Sequence, residues 1–237
     1  MRALILAAGM GSRLAPLTND RPKVLVEVAG RSFLLRQLDA LAAAGVRDVV
    51  VVGGYRIDAL RAALSGRGVT IVMNEHFSDW NNFYSVSCAR EALAGDDFLQ
   101  LDGDTILDDK LLPRLAAAPG DVCLAVDRRD ELDDETMKVR LDADGRIAAI
   151  SKQLPPRECA GEYIGVTKVS AAASEAYFAE LALFPGLGLT NEYYEGAFDR
   201  LMQRGALGFE CVDVHDCTVT EIDDLADLAR AEQMFRA

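Results

Sequence analysis

Short apolar runs at 3–7, 48–52, 69–73, 98–101 and 122–126 alternate with stretches of helical spacing at 32–44, 57–64, 85–93 and 110–117. A strand that is apolar on both sides needs cover on both sides, and intervening helices supply it. This alternation predicts an α/β protein with a doubly wound, mostly parallel sheet. Ser32 carries the hydroxyl of an N-cap and Gly45 the backbone freedom of a C′ residue, which brackets the first helix. Sheets of this kind bind ligands outside the carboxyl ends of their strands. Residues 8–13 and the Asp102-Gly103-Asp104 turn both fall at such ends.

Past residue 126 the pattern changes. Residues 137–141 and 146–151 alternate around Asp142-Ala143-Asp144-Gly145, the pattern of an antiparallel hairpin with a glycine turn. A strand over 163–169, a helix over 190–204 ended by Gly205, a strand over 209–214 and a last helix over 223–235 complete the reading. No linker, repeat or low-complexity tract interrupts the chain. One domain over 1–237 is therefore expected. Residues 1–126 would form its ligand-binding half and 127–222 an antiparallel insertion making the other wall of a cleft. Residues 223–237 would be a closing helix.

Half of the 237 residues are hydrophobic, enough to fill such a core. The balance of 38 acidic against 25 basic side chains, a formal charge of −13, argues against a nucleic-acid polymer or an anionic membrane as partner, since both need a basic face. Five dispersed cysteines without a C-x-x-C pair read as reduced thiols, and no window is long enough for a membrane span. A cytoplasmic protein is the expectation.

The segment after the first strand, Ala7-Ala8-Gly9-Met10-Gly11-Ser12-Arg13, is nearly free of bulky side chains. It lacks the third glycine of a dinucleotide-binding turn and the Gly-Lys-Ser/Thr ending of a P-loop. What it offers is backbone N–H groups that an anion can approach closely. Arg13 and Lys23, the latter stiffened by Pro22, bring positive charge to the same loop.

Residues 6–23, L-A-A-G-M-G-S-R-L-x-P-L-T-N-D-x-P-K, resemble the N-terminal signature of the nucleotidyltransferases that join a nucleoside triphosphate to a phosphorylated small molecule. The resemblance implies the Rossmann-like nucleotidyltransferase fold, with Leu6, Ala7, Ala8, Gly9, Gly11 and Ser12 wrapping the triphosphate. It makes Arg13 and Lys23 the catalytic cations that neutralise it. Cleavage between the α and β phosphates calls for a divalent cation, Mg²⁺ by its preference for oxygen ligands. The resemblance assigns that ion to Asp104, the second Asp of D-G-D, and to Asp223 of Glu221-Ile222-Asp223, with Asp224 the competing carboxylate. Asp102 falls to the nucleotide. No side-chain nucleophile is required, so His76 and His215 are read as structural.

Asn81-Asn82-Phe83-Tyr84-Ser85 stands where many sugar-1-phosphate uridylyl- and thymidylyltransferases carry a Gly-Thr-Ala-like segment. It resembles the CTP-using members that activate phosphocholine and 2-aminoethylphosphonate, and Asn82 and Ser85 are therefore placed at the base. An amide offers both the donor and the acceptor that a cytosine edge needs. The segments D-D-E-T-M-K-V (133–139), I-S-K (150–152) and G-E-Y-I-G-V (161–166) resemble the same branch, which implies Lys138, Lys152 and Glu162 on the acceptor side. In T-N-E-Y-Y-E-G-A-F-D, helical spacing puts Glu192, Glu195 and Asp199 on one face. That face is either solvated or an anionic corner for an ammonium group, with Tyr193, Tyr194 or Trp80 supplying a π surface.

The expectation is a cytidylyltransferase that uses CTP, Mg²⁺ and an amine-bearing phosphate or phosphonate acceptor, with an oligomer possible. A sugar-1-phosphate enzyme using UTP, dTTP or GTP keeps the fold with a different base reader. A regulatory module would bind the nucleotide without turnover.

Overall fold

The computed structural model describes residues 1–129 and 131–235. In chain order the elements are β1 (Arg2–Ala7), β2 (Glu27–Val28), β3 (Arg31–Ser32), α1 (Phe33–Ala43), β4 (Val49–Gly53), α2 (Ile57–Ala63) and β5 (Thr70–Met73). Next come α3 (Phe83–Cys88), α4 (Arg90–Leu93), β6 (Phe98–Asp102), β7 (Thr105–Leu107), α5 (Leu111–Ala117) and β8 (Val122–Asp127). The remainder holds β9 (Lys138–Leu141), β10 (Ile147–Ser151), β11 (Gly161–Val169), α6 (Ala171–Leu181), α7 (Glu195–Gln203), β12 (Phe209–Asp213), β13 (Val219–Glu221) and α8 (Leu225–Phe235).

The parallel strands β6-β1-β4-β5 form one half of a nine-stranded sheet, and β11 joins it antiparallel to β6. Alternate residues divide between the two faces, as the pleat requires. Leu4, Val50 and Val52 pack with Phe83 and Val86 of α3, Tyr177 and Phe178 of α6 and Phe198 of α7. Ala3, Ile5, Val49 and Val51 pack on the other side with Leu34 and Leu41 of α1, Leu60 of α2 and Leu115 of α5. This is the doubly wound arrangement read from the apolar runs, with the antiparallel insertion joined through β11.

β11 decides where the cleft opens. Its C-terminal half lies beside β6, whereas at Gly161 and Glu162 its neighbour is β9. The change coincides with a break in register opposite β8, at Gly165, which has φ +73°. A Cβ at Gly165 would lie 2.6 Å from an Asp102 carboxylate oxygen, so glycine lets β11 pass this close to the end of β6.

The first helix is capped as expected: Ser32 Oγ accepts from the Leu35 N–H, and Gly45 has φ +81°. Two expected helices differ. The 85–93 helix is two shorter ones broken at the buried Ala89, where the backbone tightens to an Ala89 N–H to Val86 carbonyl bond. The helix expected from residue 190 starts only at Glu195, so Glu192 lies in the preceding turn and does not share a helical face with Glu195 and Asp199. The reason is competition for backbone groups. Asn81 donates through its backbone N–H to the Thr190 carbonyl and through Nδ2 to the Asn191 carbonyl, and Asn82 Oδ1 accepts from the Tyr194 N–H. Helix α6 has no counterpart in the sequence reading, because buried residues surround most of it and blur the helical stripe. The closing helix begins at Leu225, and residues 236 and 237 of that expected segment lie outside the described residues.

Candidate active site

The cleft lies where the first loop, the end of β6, the start of α7 and the strand pair β9–β11 meet, and its volume is ≈ 330 Å³. The first loop is built for close approach. A Cβ at Gly9 would meet nothing within 4 Å, which leaves its backbone open to the cleft. Gly11 has φ +63°, and a Cβ there would lie 2.7 Å from Lys23 Cβ, so this glycine packs the loop onto the stem of Lys23. Thr18 Oγ1 donates to the Gly11 carbonyl at 2.9 Å and holds the return of the loop.

The D-G-D turn is pinned from both sides. Gly103 lies so close to β1 that a Cβ would sit 2.2 Å from the Leu6 carbonyl oxygen. Gln37 of α1, fully buried, donates Nε2 to the carbonyls of Asp102 and Thr105 at 2.7 and 2.9 Å. The antiparallel pair β7–β13 then sets Glu221 opposite Thr105, and the Ile222 N–H donates to the Asp104 carbonyl. This register brings the middle of the sequence to its C-terminal part, and one oxygen each of Asp104, Glu221 and Asp223 lies within 4.8 Å of the others.

Lys23 Nζ bridges the first and last of these, 2.8 Å from Asp104 and 2.6 Å from Asp223, and Arg13 lies 2.9 Å from Asp223. Burial works against the lysine charge, but the two carboxylates outweigh it and raise its pKa. Burial likewise opposes the charge on Asp223, yet Lys23 and Arg13 hold its pKa below the ordinary carboxylate value. Glu221 stands at the exposed edge of the cluster, and the partial desolvation of its carboxylate, with Asp104 and Asp223 adding to it, outweighs the pull of Lys23 and pushes its pKa up to about 7. Asp224 is used otherwise. Its Oδ1 accepts from the N–H groups of Ala226 and Asp227, while Asp227 Oδ2 accepts from those of Asp223 and Asp224, a reciprocal cap on α8.

The opposite wall is a buried chain of hydroxyls and acids. Tyr194 OH donates to the Asp102 carboxylate at 3.0 Å and lies 3.0 Å from Tyr163 OH, which is 2.6 Å from Thr167 Oγ1. Burial first, and the Glu195 charge second, raise the Asp102 pKa well above the ordinary carboxylate value. Glu195 is itself buried, and burial pushes its pKa up to about 7. Its Oε2 has no hydrogen-bond partner. Lys152 comes from the end of β10, with its ammonium 3.6 Å from Glu135 and 5.5 Å from the centre of the Tyr193 ring.

Most residues expected at the site do line this cleft: Leu6, Ala8, Gly9, Arg13, Asn82, Ser85, Asp102, Asp104, Lys152, Glu162, Glu195 and Asp223. Ala7 ends β1, and Gly11 and Ser12 belong to the loop that follows, without lining the cleft, and Lys23 reaches its carboxylates from beneath. One expectation is corrected and two are narrowed. Lys138 is fully buried and donates Nζ to the carbonyls of Asp133 and Thr136, which holds the 133–136 turn and keeps it out of the cleft. Glu192 lines an adjoining compartment instead, with Asp199 and Gln153. Trp80 stacks on His76 outside the cleft, while Tyr194 turns inward to Asp102 and leaves Tyr193 as the exposed ring. Glu135, Met137, Tyr163, Ile164 and Gly165 line the cleft without having been singled out, since their placement depends on the switch of β11 between β6 and β9.

The CMP-5'-(3-aminopropyl)phosphonate synthase of Streptomyces rubellomurinus is 36% identical over 249 alignment positions, which cover 99% of this chain and 39% of that protein. The choline-phosphate cytidylyltransferase of Streptococcus pneumoniae is 36% identical over 102 residues, 43% of this chain and 44% of that one. The match thus spans less than half the length of either relative. Among solved structures, the CTP:phosphocholine cytidylyltransferase of Streptococcus pneumoniae superimposes with a TM-score of 0.80 at 24% identity over 98% of both chains, which shows a shared fold. The profile of the MobA-like NTP transferase domain matches residues 3–183, a span that includes the first loop, the D-G-D turn and the β11 wall. By that match this chain belongs to the MobA-like NTP transferase family.

Proposed function

We propose that the protein is a cytidylyltransferase that transfers CMP from CTP to a small phosphonate or phosphate bearing an amine, with release of pyrophosphate. The observation that carries this reading is the convergence of Arg13, Lys23, Asp104 and Asp223 at one end of the cleft, with Lys152 on the facing wall. The names of the two curated relatives, one acting on an aminopropylphosphonate and one on choline phosphate, support the base and the acceptor class.

In this reading the open amides around Gly9 and the Arg13 guanidinium receive the triphosphate. Lys23 supplies charge at the α-phosphate, and Lys152 leaves Glu135 to hold the acceptor's anionic group. An acceptor oxygen then attacks the α-phosphorus. A P–O–P bond forms, the bond to the β-phosphate breaks, and its electron pair departs on pyrophosphate. Asp104, Glu221 and Asp223 make an oxygen-only donor set suited to Mg²⁺. An ion held there would neutralise charge on the triphosphate as the leaving group forms. Among the described lining residues, seven carboxylates face two cations, Arg13 and Lys152, with Lys23 beneath, so an anionic triphosphate held in this cleft needs further positive charge beside it. A divalent ion meets one part of that need and an acceptor ammonium another.

The test is pyrophosphate release with Mg²⁺, crossing CTP, UTP, dTTP, GTP and ATP against 2-aminoethylphosphonate, phosphocholine and glucose 1-phosphate. Turnover confined to CTP with an amine-bearing acceptor is expected. Turnover of UTP or dTTP with the sugar phosphate overturns the reading of Asn82 and of the acceptor wall. Nucleotide binding without any release would leave a regulatory module.

A further inference from the structure

Glu195 is the first residue of α7 and is 6% exposed, and its Oε2 is buried without a hydrogen-bond partner. A buried carboxylate oxygen left this way costs on the order of 1–3 kcal/mol or more, so something outside the chain satisfies it in the working state. Glu195 lines both the main cleft and the adjoining compartment, together with Met137, Lys152 and Tyr193. The adjoining compartment adds Glu192, Asp199 and Arg200, and because Arg200 is paired with Glu180 the potential beyond Glu195 stays negative. A ligand at this point therefore brings both positive charge and an N–H donor.

The aromatic inventory separates two kinds of ammonium. A quaternary ammonium has no N–H to give and is held by several ring faces arranged around it. The described aromatic residues lining the two compartments are Tyr163 and Tyr193. Tyr163 is 3% exposed, with its hydroxyl engaged by Thr167 and Tyr194. Tyr193 already has the Lys152 ammonium 5.5 Å from its ring centre. Trp80 is stacked on His76 at a ring separation of 4.1 Å and lines neither compartment. The site offers a carboxylate where a methylated cation would need a cage.

We infer that Glu195 sets acceptor specificity by accepting a hydrogen bond from a protonated primary amine, so that the acceptor is an ω-aminoalkyl phosphonate or phosphate rather than a quaternary-ammonium compound. This rests on the cytidylyltransferase reading and narrows its acceptor. The N–H donor completes the hydrogen bonding of Oε2, and the ammonium charge offsets the burial of the carboxylate. A trimethylammonium analogue would bring a larger head to the same point, leave the oxygen unsatisfied and press methyl groups against it.

The experiment uses the wild-type protein, CTP and Mg²⁺ with 2-aminoethylphosphonate and its mono-, di- and trimethylated amines, whose anionic ends are identical. The expected result is a kcat/KM that holds while an N–H remains and falls about 10–100-fold at the trimethylated compound, the size of a lost charge-assisted hydrogen bond. In Glu195→Gln, checked for an unchanged circular dichroism spectrum, the ratio between primary and trimethylated acceptors should shrink at least tenfold. A residue that only held α7 in place would lower both rates and keep the ratio. Equal turnover of primary and trimethylated acceptors by the wild type overturns this inference and leaves the cytidylyltransferase reading standing. If CTP supports turnover with no member of the series while another nucleotide turns over a sugar phosphate, the underlying reading fails instead.

Discussion

At the scale of single residues, Asp223 and Asp224 show how neighbours in sequence acquire different work. Both are short acids at the start of α8, and their order alone does not separate them. In the fold, Asp224 closes the helix cap with Asp227, while Asp223 faces Lys23 and Arg13. Asp223→Asn should therefore lower kcat about 10²–10³-fold with little change in melting temperature, the size seen when an electrostatic contact to a transition state is removed. Asp224→Ala should lower the melting temperature through the lost cap and spare most of the rate. Thermal melts and steady-state kinetics on the pair would show the two losses exchanged if the assignment is reversed. The preference for Asp223 was open to sequence reading only through the E-I-D resemblance.

At the scale of elements, two loops with glycine have opposite demands. The D-G-D turn needs glycine for packing, because a Cβ at 103 would collide with the Leu6 carbonyl at 2.2 Å and meet Val24 as well. The first loop needs glycine at position 9 for access, since the space around it is open. Gly103→Ala should lose about 3 kcal/mol in chemical denaturation, as overpacked sites do. Gly9→Ala should melt normally and raise the KM for nucleotide several-fold. A normal melt for Gly103→Ala would show that β1 and β6 can part at this point. The helix expected from residue 190 belongs to the same scale. Its periodicity is sound from Tyr194 onward, where Ala197, Phe198 and Leu201 are buried. Its start was not legible, because Asn81 and Asn82, distant in sequence, take the polar backbone groups that a first turn would use.

At the scale of the whole molecule, the cleft stores acidic charge that folding must bury. Glu195 passes from an ordinary pKa of 4.5 in the unfolded chain to about 7 in the folded one. A carboxyl raised in this way favours the folded state fully below pH 4.5, and that contribution is lost as pH rises through 7. The loss is on the order of 3 kcal/mol for a shift of this size. Glu221, more exposed but raised to about 7 by partial desolvation and by Asp104 and Asp223, acts in the same direction. Denaturation at pH 5 and pH 8 should find the wild type weaker at pH 8 in this respect, and Glu195→Gln should flatten the slope. The same slope in both proteins would show that Glu195 ionises in the folded state as freely as in water.

The sequence by itself determined the doubly wound layers, because strands apolar on both sides leave no other cover than helices on both faces. It also determined the first loop, whose glycines, Arg13 and Lys23 lie within one short segment and act through local geometry. Only the tertiary structure decided which distant groups share the cleft. The pairing of β13 with β7 sets Glu221 and Asp223 beside Asp104, and the passage of β11 from β6 to β9 brings Glu162, Tyr163 and Gly165 into the wall. It also decided that Lys138 is a buried support and Glu195 a buried acid. Strand register and burial follow from packing across the whole chain, and a side chain's own neighbours in sequence carry no record of them.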